Sequence, residues 1–410
     1  MPSTFTWLDY SEAERRKMLD VIALFREKDT RDELGVGSVR DAFADTFFPG
    51  TSTIQTRARY FLFVPWMYRL LEQRKVRSAD VARVARQLEI ELISGLINGG
   101  EVGQGVIGER ARAALQRLPS NVYWLGLGMW GLRLFPGSHD QYHRSLDRFY
   151  AASHGRRSAR TAEDDALDDP VSPNWHPGLP PAPAGFPNNV TFTLTLDEAE
   201  YLAERIKISV PSSLLNYLID VGYDAPAVNF VWEHPSLADF PVGHRDRIIH
   251  ARNFSVAIHG SALLYNLMLA ELVKNEERID EYRDKLQGWA DELADLHSDL
   301  ARWDRRHFWE IVATSGSTIT LLTRHFIDAW LDFACTSGTA ATATDSSLMR
   351  TLIHERERQL KRQQARLDNP RAREQWNGAA GTGQLDYRWF RAQQLIADIQ
   401  NALVPRNVYA

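Results

Sequence analysis

The amino-acid sequence predicts a mostly α-helical protein, a multi-helix bundle with at most one or two short strands. Apolar residues recur in alternating steps of three and four through residues 247–303, which is the heptad pattern of packed helices. No proline interrupts the chain between Pro241 and Pro370, so helices can continue unbroken there. We therefore expect a long helical hairpin, or one very long helix, at the centre of the bundle. The clearest heptad positions are Ile279, Tyr282, Leu286, Trp289, Leu293, Leu296, Leu300 and Trp303.

The heptad pattern is compatible with two kinds of packing. The apolar seam can lie in the core of one chain, or it can join several chains in an intermolecular coiled coil. Trp289 and Trp303 occupy seam positions, and such large side chains suit a bundle core better than a slim dimer. We expect an intramolecular core, with oligomerisation through residues 247–303 as the alternative.

Residues 1–153 predict an N-terminal helical domain. Capping residues precede stretches of helical apolar periodicity, and Pro-Gly or Gly-Gly pairs follow several of them. The predicted helices begin near Ser11, Ser38, Ser52, Ser78, Ser120 and Ser138.

Residues 154–189 differ in composition from the chain on either side. A basic stretch is followed by an acidic one and then by seven prolines, and the apolar periodicity disappears. Such a segment cannot build a core of its own. We interpret it as a proline-rich linker or surface excursion that separates residues 1–153 from a C-terminal helical bundle, residues 190–410.

The C-terminal bundle begins with the best strand candidate of the chain. Val190–Leu196 alternates strictly between apolar residues and threonine, as a half-buried strand does. After the heptad region, apolar periodicity predicts a helix over Ser317–Cys335 and a charged helix over Ser347–Leu367. A glycine-rich turn then precedes a last helix that contains Trp389.

Composition excludes several classes of protein. Of the 410 residues, 44% are hydrophobic and 25% charged, as in an ordinary soluble protein. The net charge of −5 argues against an extended phosphate-binding surface. The single cysteine, Cys335, excludes an internal disulfide and a cysteine-rich metal site. Met1–Lys17 lacks the order of a signal peptide, and the apolar stretch Val122–Phe135 is too short to cross a bilayer. We expect a cytoplasmic protein that does not contact a membrane.

Two predicted helices near the N-terminus have the lengths and the tight turn of a helix-turn-helix. They are Ser38–Phe47 and Ser52–Leu71. The second helix would present Gln55, Arg57 and Arg59 to base edges or phosphates. The alternative is a helical corner in which the arginines pair with nearby aspartates.

The charged helix near the C-terminus is a second candidate for nucleic-acid binding. Between Ser347 and Arg373, eight basic residues outnumber three acidic ones, and the apolar stripe is narrow. Such a helix can lie on a phosphate backbone or an acidic partner. The alternatives are a solvated face, or pairing with the acidic residues of 280–304. The candidate contacts are Arg356, Arg358, Lys361, Arg362 and Arg366.

His139 and His143 are the best-spaced pair of metal-ligand residues. Their i, i+4 spacing places both on one face of a helix, as in two-histidine metal sites. No third ligand can be identified, and Ser138 with Gln141 instead forms the pattern of a capping box. We therefore expect structural histidines, with no metal and no cofactor. A second loose cluster has the same interpretation: His244, Asp246 and His250.

Several stretches resemble a bacterial family of unknown function. Three are N-terminal, Thr6–Glu12, Phe25–Gly35 and Phe48–Tyr60. The tail contributes Ala365-Arg-Leu, Trp376-Asn-Gly and Leu385–Trp389. The resemblance implies a cytoplasmic component of a multi-gene anti-phage defence system, beside partners of the helicase or nuclease type. It supplies no catalytic residues.

The expected function combines these interpretations. We expect a non-catalytic binding or scaffold subunit of a DNA-directed bacterial defence assembly that contacts nucleic-acid phosphates. One alternative is a metal-dependent enzyme, such as a nuclease, that uses His139 and His143. The other is a purely structural oligomerisation protein built on the heptads.

Overall fold

The computed structural model describes residues 32–159, 172–222 and 228–403. Helix makes up 63% of the structure, and no β-strand occurs in the described residues, which confirms the predicted helical bundle. The helix predicted from Ser11 lies outside them. The described α-helices are α1 (Gly37–Phe47), α2 (Tyr60–Gln73), α3 (Val81–Asn98), α4 (Pro119–Met129), α5 (His139–Ala159), α6 (Leu196–Ser209), α7 (Leu214–Val221), α8 (Val242–Val273), α9 (Glu276–Asp295), α10 (His297–Ala301), α11 (Arg305–Thr314), α12 (Leu321–Ala334), α13 (Ser347–Lys361), α14 (Pro370–Arg373) and α15 (Trp389–Leu403).

The described residues fall into two compact units. The hairpin unit contains residues 32–43 and 239–385, and the aromatic unit contains the described parts of 44–238 together with 386–403. These limits differ from the predicted division into residues 1–153 and 190–410, which stays a prediction. In the aromatic unit, the proline-rich residues from 172 onward pack against α2, since the indole Nε1 of Trp66 donates to the carbonyl of Pro180 at 2.7 Å.

The predicted helical hairpin is the centre of the hairpin unit. Helices α8 and α9 are joined at Lys274, which has a left-handed backbone, and Asn275, whose side chain caps α9. The seam of α9 is buried against α8, where Trp289 donates to the carbonyl of Val256 at 2.8 Å. The heptad pattern therefore serves a core within one chain. Assembly of several chains through this region stays a prediction.

Aromatic side chains fill the core of the aromatic unit. Helix α2 is buried along most of its length, and Pro65 lies inside the helix without ending it. The ring of Phe61 stacks on Trp130 with centroids 3.8 Å apart, and Tyr60 packs 5.2 Å from Tyr123. Helix α15 packs against α6 and α7, so the last described helix completes this core.

The strand predicted over Val190–Leu196 is absent. Val190, Phe192 and Leu194 are buried and alternate with more exposed threonines, so the alternation correctly indicates a half-buried extended segment. The backbone N–H of Phe192, however, donates to the carboxylate of Glu101 at 2.6 Å. A side chain thus takes the place of a neighbouring strand.

Helix α8 is long and apolar enough to cross a membrane by length and composition. Its most apolar window has a mean hydropathy of 1.5, and 67% of that window is buried within the protein. A core helix passes the same test, because burial in a protein interior selects the same side chains.

Candidate nucleic-acid interface

A cavity of about 680 Å³ lies in the aromatic unit. Its walls come from the loop before α2, the glycine-containing loop after α3, residues 228–229 and the exposed side of α15. The lining residues are Thr56, Arg57, Gly103, Gln104, Gly105, Val228, Asn229, Phe390, Arg391, Gln393, Gln394 and Ala397.

Phe390 and Arg391 form the α15 side of this cavity. Phe390 is 61% exposed, although it is a large aromatic side chain at the start of a buried helix. The guanidinium of Arg391 lies 4.9 Å from the centroid of the Phe390 ring, and its Nε donates to the carbonyl of Thr53 at 3.0 Å. An exposed ring beside a cation can stack with a nucleobase.

Arg57 is held in a fixed orientation at the edge of the cavity. Its Nε and Nη2 atoms donate to the carboxylate of Asp398 over 2.8–3.1 Å, and its Nη1 donates to the carbonyl of Gln104 at 3.1 Å. Asp398 also accepts from the backbone N–H of Ala58 at 2.9 Å. Asp398 therefore orients Arg57 and partly offsets its charge.

Arg57 does not lie on a recognition helix. The helix predicted from Ser52 begins only at Tyr60, which corrects the helix-turn-helix prediction. The amide of Gln55 donates to the carbonyl of Gly50 at 3.1 Å and accepts from the N–H of Ser52 at 3.2 Å. Local bonds of this kind compete with helix formation, and they hold residues 51–59 as a loop.

The other two residues predicted beside Arg57 do not face the cavity. Gln55 is buried, and its side-chain amide bonds to the backbone of its own loop. Arg59 is also buried, where it pairs with Glu198 at 2.7 Å and donates to the carbonyl of Thr191 at 2.9 Å. Of the three candidates, Arg57 reaches the cavity, while Gln55 and Arg59 hold the loop in place.

The predicted basic helix Ser347–Leu367 ends at Lys361 as α13, and Arg362 and Arg366 follow it. The basic residues of this segment form an inner and an outer set. Arg356 is 3% exposed, and it donates to the carbonyl of Leu34 and the hydroxyl of Thr323 at 2.8–2.9 Å. Lys361 and Arg366 both pair with Glu33. These three cations stabilise the hairpin unit.

Arg358 in α13 and Arg362 directly after it make up the outer set. Both are exposed, and they line a shallow groove of about 370 Å³ together with Glu355 and Gln359. Among the five predicted contacts of this segment, these two arginines are the exposed ones.

His139 and His143 lie on one face of α5, as their spacing predicts. The capping box is confirmed, because the N–H of Ser138 donates to the side chain of Gln141 at 2.8 Å and the reverse bond measures 3.2 Å. Nε2 of His143 lies 2.9 Å from the hydroxyl of Tyr68, and Nε2 of His139 contacts the same hydroxyl. Tyr68 thus occupies the position between the two nitrogens that a metal ion would take.

Burial keeps both histidines neutral. It lowers the pKa of His139 to about 3, with His143 adding to the effect, and that of His143 to about 4. Protonation of a buried imidazole is unfavourable because the charge loses its hydration. The pair therefore acts as neutral hydrogen-bonding partners of Tyr68.

Glu89 is a buried acid that the sequence interpretation missed. It accepts from the backbone N–H of Ser120 at 2.9 Å and from the Ser120 hydroxyl at 2.8 Å. Burial raises the pKa of Glu89 to about 7. The signal in the sequence was a glutamate among the apolar positions of α3, next to Leu88 and one turn before Leu92.

The cavity residues of α15 were also missed. The apolar stripe of this helix contains Trp389, Ala392 and Leu395, and Phe390 lies off it. An aromatic residue outside the apolar stripe was the signal for an exposed ring, and Gln393 with Gln394 supplied the polar side.

Comparison with known proteins identifies the family. No curated protein and no solved structure matches the chain. The model of a family of unknown function matches residues 2–403. Because this match covers nearly the whole chain, the protein belongs to DUF6361, a family of unknown function.

Proposed function

We propose that this protein is a non-catalytic nucleic-acid-binding subunit of a bacterial DNA-directed defence assembly. The cavity of the aromatic unit is its binding site, and single-stranded nucleic acid is its ligand. The observation that carries the proposal is the combination, in one cavity of about 680 Å³, of an exposed ring, two arginines and four side-chain amides.

The chemistry of the cavity matches that of an unpaired nucleotide. A base can stack on the ring of Phe390, as bases stack on aromatic platforms in single-strand-binding proteins. Side-chain amides, such as those of Gln393 and Gln394, can bond to base edges. The volume of about 680 Å³ falls within the roughly 300–1,000 Å³ of ligand sites, which is large enough for an unpaired base.

The charges support contact with phosphate at a small number of points. The chain has a net charge of −5, so long-range attraction to nucleic acid is weak. Arg57 and Arg391 both line the cavity. We expect binding that depends strongly on these two side chains and on salt.

The lining residues favour binding over catalysis. None of the residues that line the cavity in the described part of the chain is a histidine, cysteine, aspartate or glutamate. General acid–base and metal-assisted reactions depend on such groups. A stacking and hydrogen-bonding role needs only the groups present.

The defence assembly rests on the sequence resemblance alone, and the cytoplasmic location rests on that resemblance together with the composition. The proposal assigns helicase-type or nuclease-type partners to the protein. A tagged chain isolated from its native cells should recover such proteins in stoichiometric amounts. Recovery of the chain alone, with neighbouring genes unrelated to nucleic-acid processing, would contradict this part of the proposal.

Fluorescence anisotropy with labelled oligonucleotides tests the binding site. At about 50 mM salt, wild-type protein should bind single-stranded DNA or RNA more tightly than duplex. Phe390→Ala should weaken this binding about tenfold, since a base–aromatic stack contributes roughly 1–3 kcal/mol. Arg391→Ala should weaken it and flatten the salt dependence. Leu125→Ala and Arg148→Ala are matched controls on exposed positions of the same unit.

Two outcomes would count against the cavity. If no single- or double-stranded DNA or RNA binds at about 50 mM salt, where phosphate contacts are strong, the protein makes no direct contact with nucleic acid. If Arg358→Ala with Arg362→Ala abolishes binding and Phe390→Ala does not, the interface is the exposed groove at the end of α13 that these two arginines line. The double change would then flatten the log–log salt slope by up to about two units.

A further inference from the structure

A second cluster of polar side chains lies in the hairpin unit. Asp246 and His250 are one turn apart on α8, and His307 lies in the first turn of α11. One ligand atom from each residue lies within 4.8 Å of the others. Nε2 of His307 is 3.0 Å from one carboxylate oxygen of Asp246, and Nε2 of His250 is 3.8 Å from the other.

The surroundings of this cluster favour a cation. Nδ1 of His307 faces a carboxylate oxygen of Glu310 at 3.4 Å, which is the outer partner that metal-bound histidines commonly have. Asp304 caps the start of α11 by accepting from the N–H groups of residues 306 and 307 at 3.0 Å. Three carboxylates thus lie around two imidazoles. Asp246 and His307 are partly exposed, so an ion can reach them.

We infer that Asp246, His250 and His307 form a binding site for a divalent transition-metal ion such as Zn²⁺. Two imidazoles with one carboxylate form a donor set that binds such ions better than it binds Mg²⁺ or Ca²⁺. Donor atoms around an ion with bonds of about 2.1 Å lie about 3.0–3.5 Å apart. The separation between Asp246 and His307, 3.0 Å, already fits. The other separations, of at most 4.8 Å, must close by roughly 1 Å through side-chain movement.

Trp303 competes with the metal ion for His250. Its indole Nε1–H donates to Nδ1 of His250 at 2.8 Å. A neutral imidazole that accepts at Nδ1 carries its proton on Nε2, the atom that faces Asp246. When Nε2 binds a metal ion, that proton leaves, and the neutral ligand carries a proton on Nδ1 instead. The Trp303 N–H must then give up its bond, so Trp303 weakens the site.

This inference is independent of the proposed nucleic-acid function, because the cluster lies in the other unit. The experiment uses the full chain, freed of metal by dialysis against a chelator. Zinc is then titrated in competition with a chromogenic zinc chelator. Wild-type protein should bind about one zinc ion in a saturable step.

Variants at the half-exposed ligands test the assignment. His307→Ala and Asp246→Asn should each weaken zinc binding by about tenfold or more, and Glu310→Gln should weaken it by about tenfold. Trp303→Phe should tighten it, because Nδ1 of His250 is then free to carry the proton. His297→Ala, at an exposed histidine of α10 in the same unit, is the matched control and should change nothing.

Other outcomes would contradict the zinc site or the competition by Trp303. Absence of a saturable zinc equivalent, or equal affinity in wild-type protein and His307→Ala, would overturn the site. Zinc binding that is retained in Trp303→Phe with unchanged affinity would overturn the competition by the indole. Thermal unfolding of each variant without zinc shows whether it is folded before the titration.

Discussion

Single buried side chains set the pH response of the aromatic unit. Glu89 is buried against Ser120 of α4, and His139 and His143 contact the buried hydroxyl of Tyr68 on α2. Burial shifts the acid and the bases in opposite directions, since both shifts favour the neutral form. Their effects on the free energy of unfolding therefore oppose each other between about pH 4.5 and 6.5.

The first prediction isolates the contribution of Glu89 to the pH dependence of the free energy of unfolding. Its pKa is raised to about 7 in the folded chain, so the folded state binds the proton more tightly and this stabilisation is lost as the pH rises through 7. Glu89→Gln should therefore gain stability relative to wild type as the pH rises from about 5 to 8, by up to about 1.4 kcal/mol per pH unit.

Thermal unfolding midpoints across this pH range measure the difference between the two proteins. A constant difference between Glu89→Gln and wild type would mean that Glu89 titrates normally. Glu91→Gln, at the same helix in a more exposed position, is the control and should show no such trend.

The second prediction concerns the histidine pair. Because the hydroxyl of Tyr68 already occupies the space between the two Nε2 atoms, His143→Gln should leave the number of bound zinc ions unchanged in a zinc titration. Elemental analysis of wild-type and variant protein gives a second measurement. Loss of a bound metal ion in His143→Gln would favour the alternative of a metal-dependent enzyme.

The sequence predicted the chemistry of individual residues better than their surroundings. Arg57 was identified as a candidate contact, and it lines the cavity. Arg59 and Arg356 were identified by the same reasoning, yet each is buried against partners distant in the chain, Glu198 and Leu34. Charge and spacing cannot reveal such partners, because they come together only in the folded unit.

At the scale of helices, the packing of α8 against α9 depends on a close approach between the backbone at Gly260 and the ring of Trp289. A Cβ atom added at Gly260 would lie 2.3 Å from the ring of Trp289. Trp289 also bonds to the backbone of α8 and packs 5.9 Å from Trp330, so it has little freedom to move. The absence of a side chain at residue 260 therefore allows the two helices to pack.

The third prediction compares two glycines of the hairpin. Gly260→Ala should lower the free energy of unfolding by about 1–3 kcal/mol, the usual cost of overpacking. Gly288→Ala adds a methyl group that meets no neighbour within 4 Å. It should raise the free energy of unfolding by about 0.5–1 kcal/mol, because alanine is the better helix former.

Urea unfolding followed by circular dichroism measures both glycine variants. Equal effects of the two substitutions would contradict the close approach at Gly260. The comparison is matched because both residues lie in long helices of one unit.

Helices were easier to predict than the segments between them. The heptads predicted α9 because its burial has a strict period. The start of α2 was placed too early, since Thr51 and Gln55 bond to carbonyls of their own loop, and Trp130 bonds to the carbonyl of Pro49 from a distant part of the chain. The segment 190–195 had the pattern of a strand, but Glu101 supplied its partner. Local sequence patterns cannot reveal such partners, because the partners lie far away in the chain.

At the scale of the molecule, the chain passes between the two units more than once. The aromatic unit joins residues before the proline-rich segment to residues after it, for example through the buried pair of Arg59 and Glu198. The linker interpretation and the compact units thus lead to different expectations for the pieces of a cut chain.

The fourth prediction follows for limited proteolysis. We expect the first cut within residues 154–189, as the sequence predicts. The two fragments should remain together in native gel filtration, because Arg59 with Glu198 and Trp66 with Pro180 connect residues on either side of residues 160–171. Fragments that separate without denaturant would support two independent domains divided at the linker. A first cut confined to residues 336–346 would instead indicate that the proline-rich segment is protected.

The division of the chain also sets an order of events during synthesis. Most of the hairpin unit is one continuous run, residues 239–385, whereas the aromatic unit needs α15, which is translated after that run. Domains tend to fold as they emerge from the ribosome. The hairpin unit can therefore fold before α15, which the aromatic unit needs, has been synthesised. The cavity wall that contains Phe390 and Arg391 is added at the same step, so the cavity forms only after residues 386–403 have been synthesised.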